Sequence, residues 1–289
     1  MDRIYATTNA IYASLSEFWE GKAIRRFLGV VLVLLFLGSL VLIELNRSVL
    51  DAPLAWFPHT SHFEAISLAF SLILAIEVIS LIFVIPCSIS RALGNQFEIL
   101  SLILLRNAFK ELSYFPEPIE VMGNLDSLYR ILSDAGGALA VFALLGLYRW
   151  LLRRHKDAIT DPKDLRRFVS FKRLVALGLL VSFFLLAIHD AAAWMTTGRA
   201  SQFFPEFYTL LIFSDILIML LSQRYLPTYQ AVFRYSGFAL STLLIRLALT
   251  ADPFYNSLIG AASVVFAVLV TLIYNRLFMI EERDARTEL

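Results

Sequence analysis

Glu98-Ile-Leu-Ser-Leu-Ile-Leu-Leu-Arg-Asn-Ala-Phe109 and Phe238-Ala-Leu-Ser-Thr-Leu-Leu-Ile-Arg-Leu-Ala-Leu249 read almost as copies of one another. Leu100/Leu240, Ser101/Ser241, Leu104/Leu244, Arg106/Arg246 and Ala108/Ala248 coincide without a gap, and each stretch sets one arginine inside an apolar run. An arginine within a membrane segment needs a partner, so a repeated arginine predicts a repeated partner.

Working outward, the composition fits that setting. Hydrophobic residues make up 58% of the 289, charged residues 17%, and the mean hydropathy is +0.71. A soluble globular domain is far more polar. Apolar runs of roughly 18 residues or more, the length a bilayer demands of a helix, recur along the chain. Strand-like alternation with turn signals is absent, which argues against an outer-membrane barrel. One cysteine, Cys87, excludes an intramolecular disulfide, and the net charge of +1 gives no reason to expect nucleic acid. The first 24 residues are mixed and the first apolar run is too long for a cleavable leader.

The expected fold is all-α: a polytopic integral membrane bundle of eight transmembrane helices, built as two parallel four-helix repeats. The spans are expected near 26–46, 63–85, 96–113, 136–152, 173–195, 206–223, 235–250 and 257–278. With the N-terminus in the cytoplasm, nineteen of the 25 Lys and Arg fall on the inner side and four on the outer, the two repeated arginines being intramembrane. That asymmetry places both termini in the cytoplasm, with the bacterial inner (plasma) membrane as the expected location.

The repeat extends beyond its opening match. Arg26-Phe-Leu and Arg173-Leu-Val enter the first and fifth spans, which near their outer ends with Glu44 and Asp190. The second span carries Glu77 and ends at Pro86; the sixth carries Asp215 and ends at Pro227. Gly137-Ala138 and Leu147-Tyr148-Arg149 in the fourth correspond to Gly260-Ala261 and Ile273-Tyr274-Asn275 in the eighth. An even number of spans per unit inserts both units the same way up, with a pseudo-twofold axis along the membrane normal.

The chain therefore divides into an interfacial helix over 1–24, a first unit over 25–152, a basic linker over 153–171, a second unit over 172–279 and a tail over 280–289. In the first segment Ile4, Ile11, Leu15, Phe18 and Trp19 share a face suited to the cytoplasmic leaflet. The linker, Arg153-Arg154-His155-Lys156 through Asp161-Pro162 to Arg166-Arg167, suits anionic lipid. Residues 111–134 are expected to form an acidic outer loop carrying Glu111, Glu117, Glu120, Asp126 and Asp134, an element over the first unit that would serve as a cap.

The candidate site is a pair of charge pairs, Glu77–Arg106 and Asp215–Arg246. Counting residues at 1.5 Å each puts all four at the same height, roughly 14–15 Å above the inner interface. Their plain reading is a structural salt bridge in each unit; their functional reading is a polar path or a moving charged element. Glu98 is expected at the inner interface, in solvent. Glu44, His62, Glu64, His189 and Asp190 gather near the outer face, where a histidine beside a carboxylate could accept protons. His59 and His62 have metal-compatible spacing, but a zinc site needs three or four converging ligands, and no metal or cofactor is expected. Phe203-Phe204 with Phe207-Tyr208, and Trp56-Phe57, fit an interfacial aromatic belt.

No metalloprotease, phosphate-loop or dithiol motif occurs, no serine has a plausible histidine at depth, and no lysine lies inside an expected span. An enzyme is not expected. In outline, a four-helix unit with an acid on its second helix is similar to a voltage-sensor module. Such a module carries arginines every third residue along its fourth helix. Here Arg149 and Arg153 stand only at the cytoplasmic end of the fourth span and Arg276 alone in the eighth, so no residue role is taken from it.

Two functions follow from the residues. One is a small transporter or channel-like protein that moves protons or a small ion or solute along a path lined by the pairs. The other is a non-transporting scaffold, sensor or accessory subunit held together by them. Expected partners are the bilayer, anionic lipid at the basic linker, and a second copy or another membrane protein.

Overall fold

The computed structural model describes residues 2–48, 62–116, 120–152, 162–197, 203–226 and 228–287. Among them are nine α-helices and no strand: α1 (Asp2–Glu20), α2 (Lys22–Ser48), α3 (Glu64–Val84), α4 (Ile89–Lys110), α5 (Leu125–Leu151), α6 (Pro162–Thr197), α7 (Phe203–Ser222), α8 (Tyr229–Thr250) and α9 (Tyr255–Thr287). A 3₁₀ turn, Glu111–Tyr114, follows α4. Seven helices are long and apolar enough to cross a bilayer, which marks a membrane protein.

Two of the nine are not among those seven. One is α1, the expected interfacial helix. The other is α4, expected as the third span. Arg91, Asn95, Gln96, Glu98, Arg106, Asn107 and Lys110 lower its hydropathy, and packing rather than apolarity places it. Its buried side includes Leu93, Phe97, Leu100 and Leu104, all at most 1% exposed.

Several boundaries move. α5 starts at Leu125, eleven residues before its expected limit, so the outer loop shrinks and Asp134 lies inside a helix. α6 begins at Pro162, within the expected linker, and α9 runs through most of the expected tail. Pro162 at the head of α6 loses nothing, since the first helical turn has no carbonyl for its missing N–H. Residues 153–161 lie outside the described residues, as do His59 and Trp56-Phe57.

The neighbours repeat in order. α2 packs on α3, α3 on α4 and α4 on α5; α6 packs on α7, α7 on α8 and α8 on α9. α5 then meets α9, and α4 meets α8. α5 and α9 run parallel: Ser257 Oγ donates to the Ser133 carbonyl at 3.0 Å near their starts, and Asn275 Nδ2 donates to the Leu151 carbonyl at 2.9 Å further along. Gly137 permits the first contact, because a Cβ there would stand 2.4 Å from Ser257 Oγ. The chain enters α9 through Phe254, which takes φ 75, a left-handed turn that side chains rarely adopt.

The apolar cores do not follow the expected units. One core joins α4, α5, α8 and α9 through Phe97, Val141, Tyr148, Phe238, Ile245 and Val264. The other joins α1, α3, α6 and α7 through Tyr12, Ile82, Phe83, Phe183, Phe207 and Leu211. Each draws on both halves of the sequence. α1 contributes Tyr12, whose hydroxyl donates to the Phe83 carbonyl at 2.7 Å, and Trp19, whose indole donates to Ser80 Oγ at 3.1 Å. Ile11 and Phe18, expected on the same face, point outward. Tyr12 and Trp19 carry polar tips that the protein satisfies, which selects them for the inward side. Burial pushes the pKa of the Tyr12 phenol above its ordinary value.

The expected aromatic belt at Phe203–Tyr208 is also corrected. Phe203, Phe207 and Tyr208 are buried, with Phe183 of α6 edge-on to Phe203 and Phe207 at 4.9 and 5.1 Å. Edge-to-face packing at that spacing is a core arrangement.

Candidate functional site: two buried charge pairs

Glu77 of α3 pairs with Arg106 of α4, and Asp215 of α7 pairs with Arg246 of α8. Both partnerships expected from the repeated arginine are present. The registers match: each acid precedes the end of its helix by seven residues, each arginine by four. Because α4 and α8 both begin earlier than expected, the arginines sit near the ends of their helices rather than midway. A helical side chain leans toward the N-terminus of its helix, which carries each guanidinium back toward the acid.

Each pair also joins the two cores: α3 and α7 belong to one, while α4 and most of α8 belong to the other, with Tyr235 of α8 reaching into the first. The two pairs differ in enclosure. Arg246 is fully buried and its Nε lies 3.3 Å from Asp215 Oδ2, while Arg106 keeps 30% of its side chain exposed. The terminal nitrogens Nη1 and Nη2 of Arg246 are buried with no protein acceptor. Buried guanidinium nitrogens of that kind are normally satisfied by water or an anion.

A cavity adjoins each pair. Glu77 and Arg106 line one of about 20 Å³, which runs past Ser71, Asn107 and Lys110 toward the end of the bundle that holds the 3₁₀ turn. Asp215 lines one of about 40 Å³, which runs past Gln96, Tyr235 and Lys172 to Cys87 in the α3–α4 turn. The two spaces thus extend toward opposite ends of the molecule. Both are water-sized, since roughly 10–15 Å³ of such volume holds one water.

No family model, curated protein or solved structure matches this chain.

Lys172 was absent from the sequence reading, which began the fifth span at Arg173. It lies inside the apolar stretch Asp164–Ala193, is 4% exposed, and donates to the Cys87 carbonyl at 2.7 Å. Its ammonium also stands 5.1 Å from the centre of the Phe168 ring. The basic run of the expected linker hid it, because one more cation beside Arg166, Arg167 and Arg173 looks like the end of that linker.

A second cluster was also missed. Asp134, 1% exposed, accepts from Asn256 Nδ2 at 2.8 Å and from Ser257 Oγ at 3.2 Å, at the start of α9. A carboxylate there faces the positive end of the helix dipole. Glu111, expected in the acidic loop, is likewise buried, and that burial pushes its pKa upward from the ordinary carboxylate value.

The remaining candidates do not converge on the pairs. His62 Nε2 meets Glu44 Oε2 at 3.0 Å on the exposed edge of α2 and α3. Glu64 and His189 are exposed, Asp190 is half-buried, and no three metal-ligating side chains cluster among the described residues. Glu98 is half-exposed and bridges to Arg149 at 2.5 Å rather than standing alone in solvent.

Proposed function

We propose that the protein carries protons or a small monovalent cation across the membrane, using Glu77 and Asp215 as relay carboxylates and Arg106 and Arg246 as their counter-charges. The observation that carries this reading is the pair of water-sized cavities leading from equivalent ion pairs toward opposite ends of the bundle. A carboxylate facing an arginine holds its charge; a proton or cation arriving through the cavity competes for it. Spaces of this size admit water and small ions but no organic solute. The matching registers and the repeated order of helix neighbours support two parallel units of four, with α4 as an eighth crossing held by packing. The positive-inside asymmetry supports cytoplasmic termini in a bacterial inner membrane, and the basic stretch before α6 suits anionic lipid there. The reading is of a carrier and not of an enzyme.

A second reading rests on a specific observation. Arg246 is sealed against Asp215 and the two cavities share no residue, so the pairs could serve only to bolt the cores together in a scaffold or accessory subunit. Flux decides between the two. Purified protein in liposomes, driven by a pH step or a potential, should show flux that Glu77→Gln and Asp215→Asn each abolish while the protein stays folded. Absence of flux in the wild-type protein would refute the carrier reading.

A further inference from the structure

The Asp215 cavity is not isolated on its open side. Cys87 also lines a groove of about 410 Å³ where the α1–α2 elbow meets α3 and α4, bordered by Trp19, Glu20, Arg25, Ser80, Asn95 and Glu98. One exposed residue therefore belongs to both spaces. Inside the smaller one, Gln96 is 2% exposed and its amide oxygen accepts no hydrogen bond from the protein. A buried carbonyl beside a carboxylate, a hydroxyl and an ammonium is stable only when water completes it. Dry apolar voids look different: their walls carry nothing to bond.

We infer that groove and chamber form one aqueous half-path, entered beside Cys87, that delivers protons through water to Asp215. This rests on the carrier reading and specifies its route. Glu20 at the groove attracts cations, while Glu98 there is held by Arg149 and Arg25 stands on the same lining. Lys172 then discriminates among the cations. Its ammonium, anchored on the Cys87 carbonyl, repels a metal ion from so small a space, whereas a proton passes it along hydrogen-bonded water. A proton that reaches Asp215 converts the carboxylate to the acid, while Arg246 keeps its own proton and loses its ionic partner. The charged and titratable groups around the route are Glu20 of α1, Arg25 of α2, Glu98 of α4 with Arg149 of α5, Lys172 of α6, Tyr235 and Arg246 of α8, and Cys87 in the turn.

The test uses the wild-type chain. Hydroxyl radicals, close to water in size, are generated by peroxide photolysis before and after alkylation of Cys87 with a bulky maleimide, and oxidation of Tyr235 and Phe70 is read by peptide mass spectrometry. The expected result is oxidation of Tyr235, which lines the chamber with Asp215, that is lost once Cys87 is alkylated, with oxidation of Phe70 beside Glu77 unchanged by the block. Oxidation of Tyr235 that persists in fully alkylated protein overturns the route, as does failure of Tyr235 to react in the open protein. Labelling is read without transport, so it separates this inference from the one above. Route-dependent labelling in a chain that moves no protons would sink the carrier reading alone.

Discussion

At Arg246 one guanidinium, fully buried, faces one carboxylate across 3.3 Å. Removing a single partner of such a pair leaves an uncompensated buried charge, at a cost of about 3–5 kcal/mol. Arg246→Leu should therefore lower the thermal midpoint of purified protein more than the double variant Asp215→Leu/Arg246→Leu, which removes both charges and fills the space with apolar side chains. Thermal melting in detergent of the two variants checks this; equal losses would show that the charges are not coupled. Arg106, with 30% of its side chain exposed, should show a smaller version of the same asymmetry. Both pairs were legible in the sequence because an arginine in an apolar run demands an acid, and each neighbouring helix offers one at the right register. Lys172 and Asp134 were not legible. Their surroundings in sequence are charged or loop-like, and only the helix starts at Pro162 and Leu125 reveal that they are enclosed.

Among the elements, the α5–α9 seam depends on a missing side chain. A Cβ on Gly137 would also stand 3.1 Å from the Ser257 Cα, so backbone as well as side chain must yield. Overpacking of this kind costs typically about 1–3 kcal/mol, and Gly137→Val should lower the melting midpoint accordingly. Ser257→Gly in the same chain should recover part of that loss, and no recovery would place the strain elsewhere. Gly137 was noted in the sequence only as a match to Gly260; its role in letting two helices touch depends on where α9 starts. That start is set by the left-handed turn at Phe254, for which the sequence offers no glycine as a cue. The helices themselves were legible wherever apolar residues ran uninterrupted. α4 shows the limit of that signal: it was recognised through its likeness to 238–249, while its polar side chains keep it below the hydropathy of a free-standing span.

For the molecule as a whole, the parity of crossings turns on α4. Cys87 precedes that helix and Met122, 88% exposed, follows it. If α4 traverses the bilayer, an impermeant maleimide should reach Cys87 from one side only and Met122→Cys, in a Cys87→Ser background, from the other. Labelling of both from the same side would reduce the crossings to seven and put the two termini on opposite faces. The interleaving of the cores was beyond the sequence, because a repeat suggests two self-contained bundles and nothing in periodicity says which faces exchange partners. The interleaving also bears on how the chain is made. Asn9 in α1 bonds to Ser170 at 3.0 Å and accepts from Arg173 at 2.9 Å, both in α6. Tyr12 and Trp19 can seat on α3 once it is made, but the α6 residues that hold Asn9 emerge roughly 160 codons after it, on the order of 10–30 s at ordinary elongation rates. During that interval the α6-facing side of α1 stays unfilled, so a helix made well before α6 finishes docking only after it.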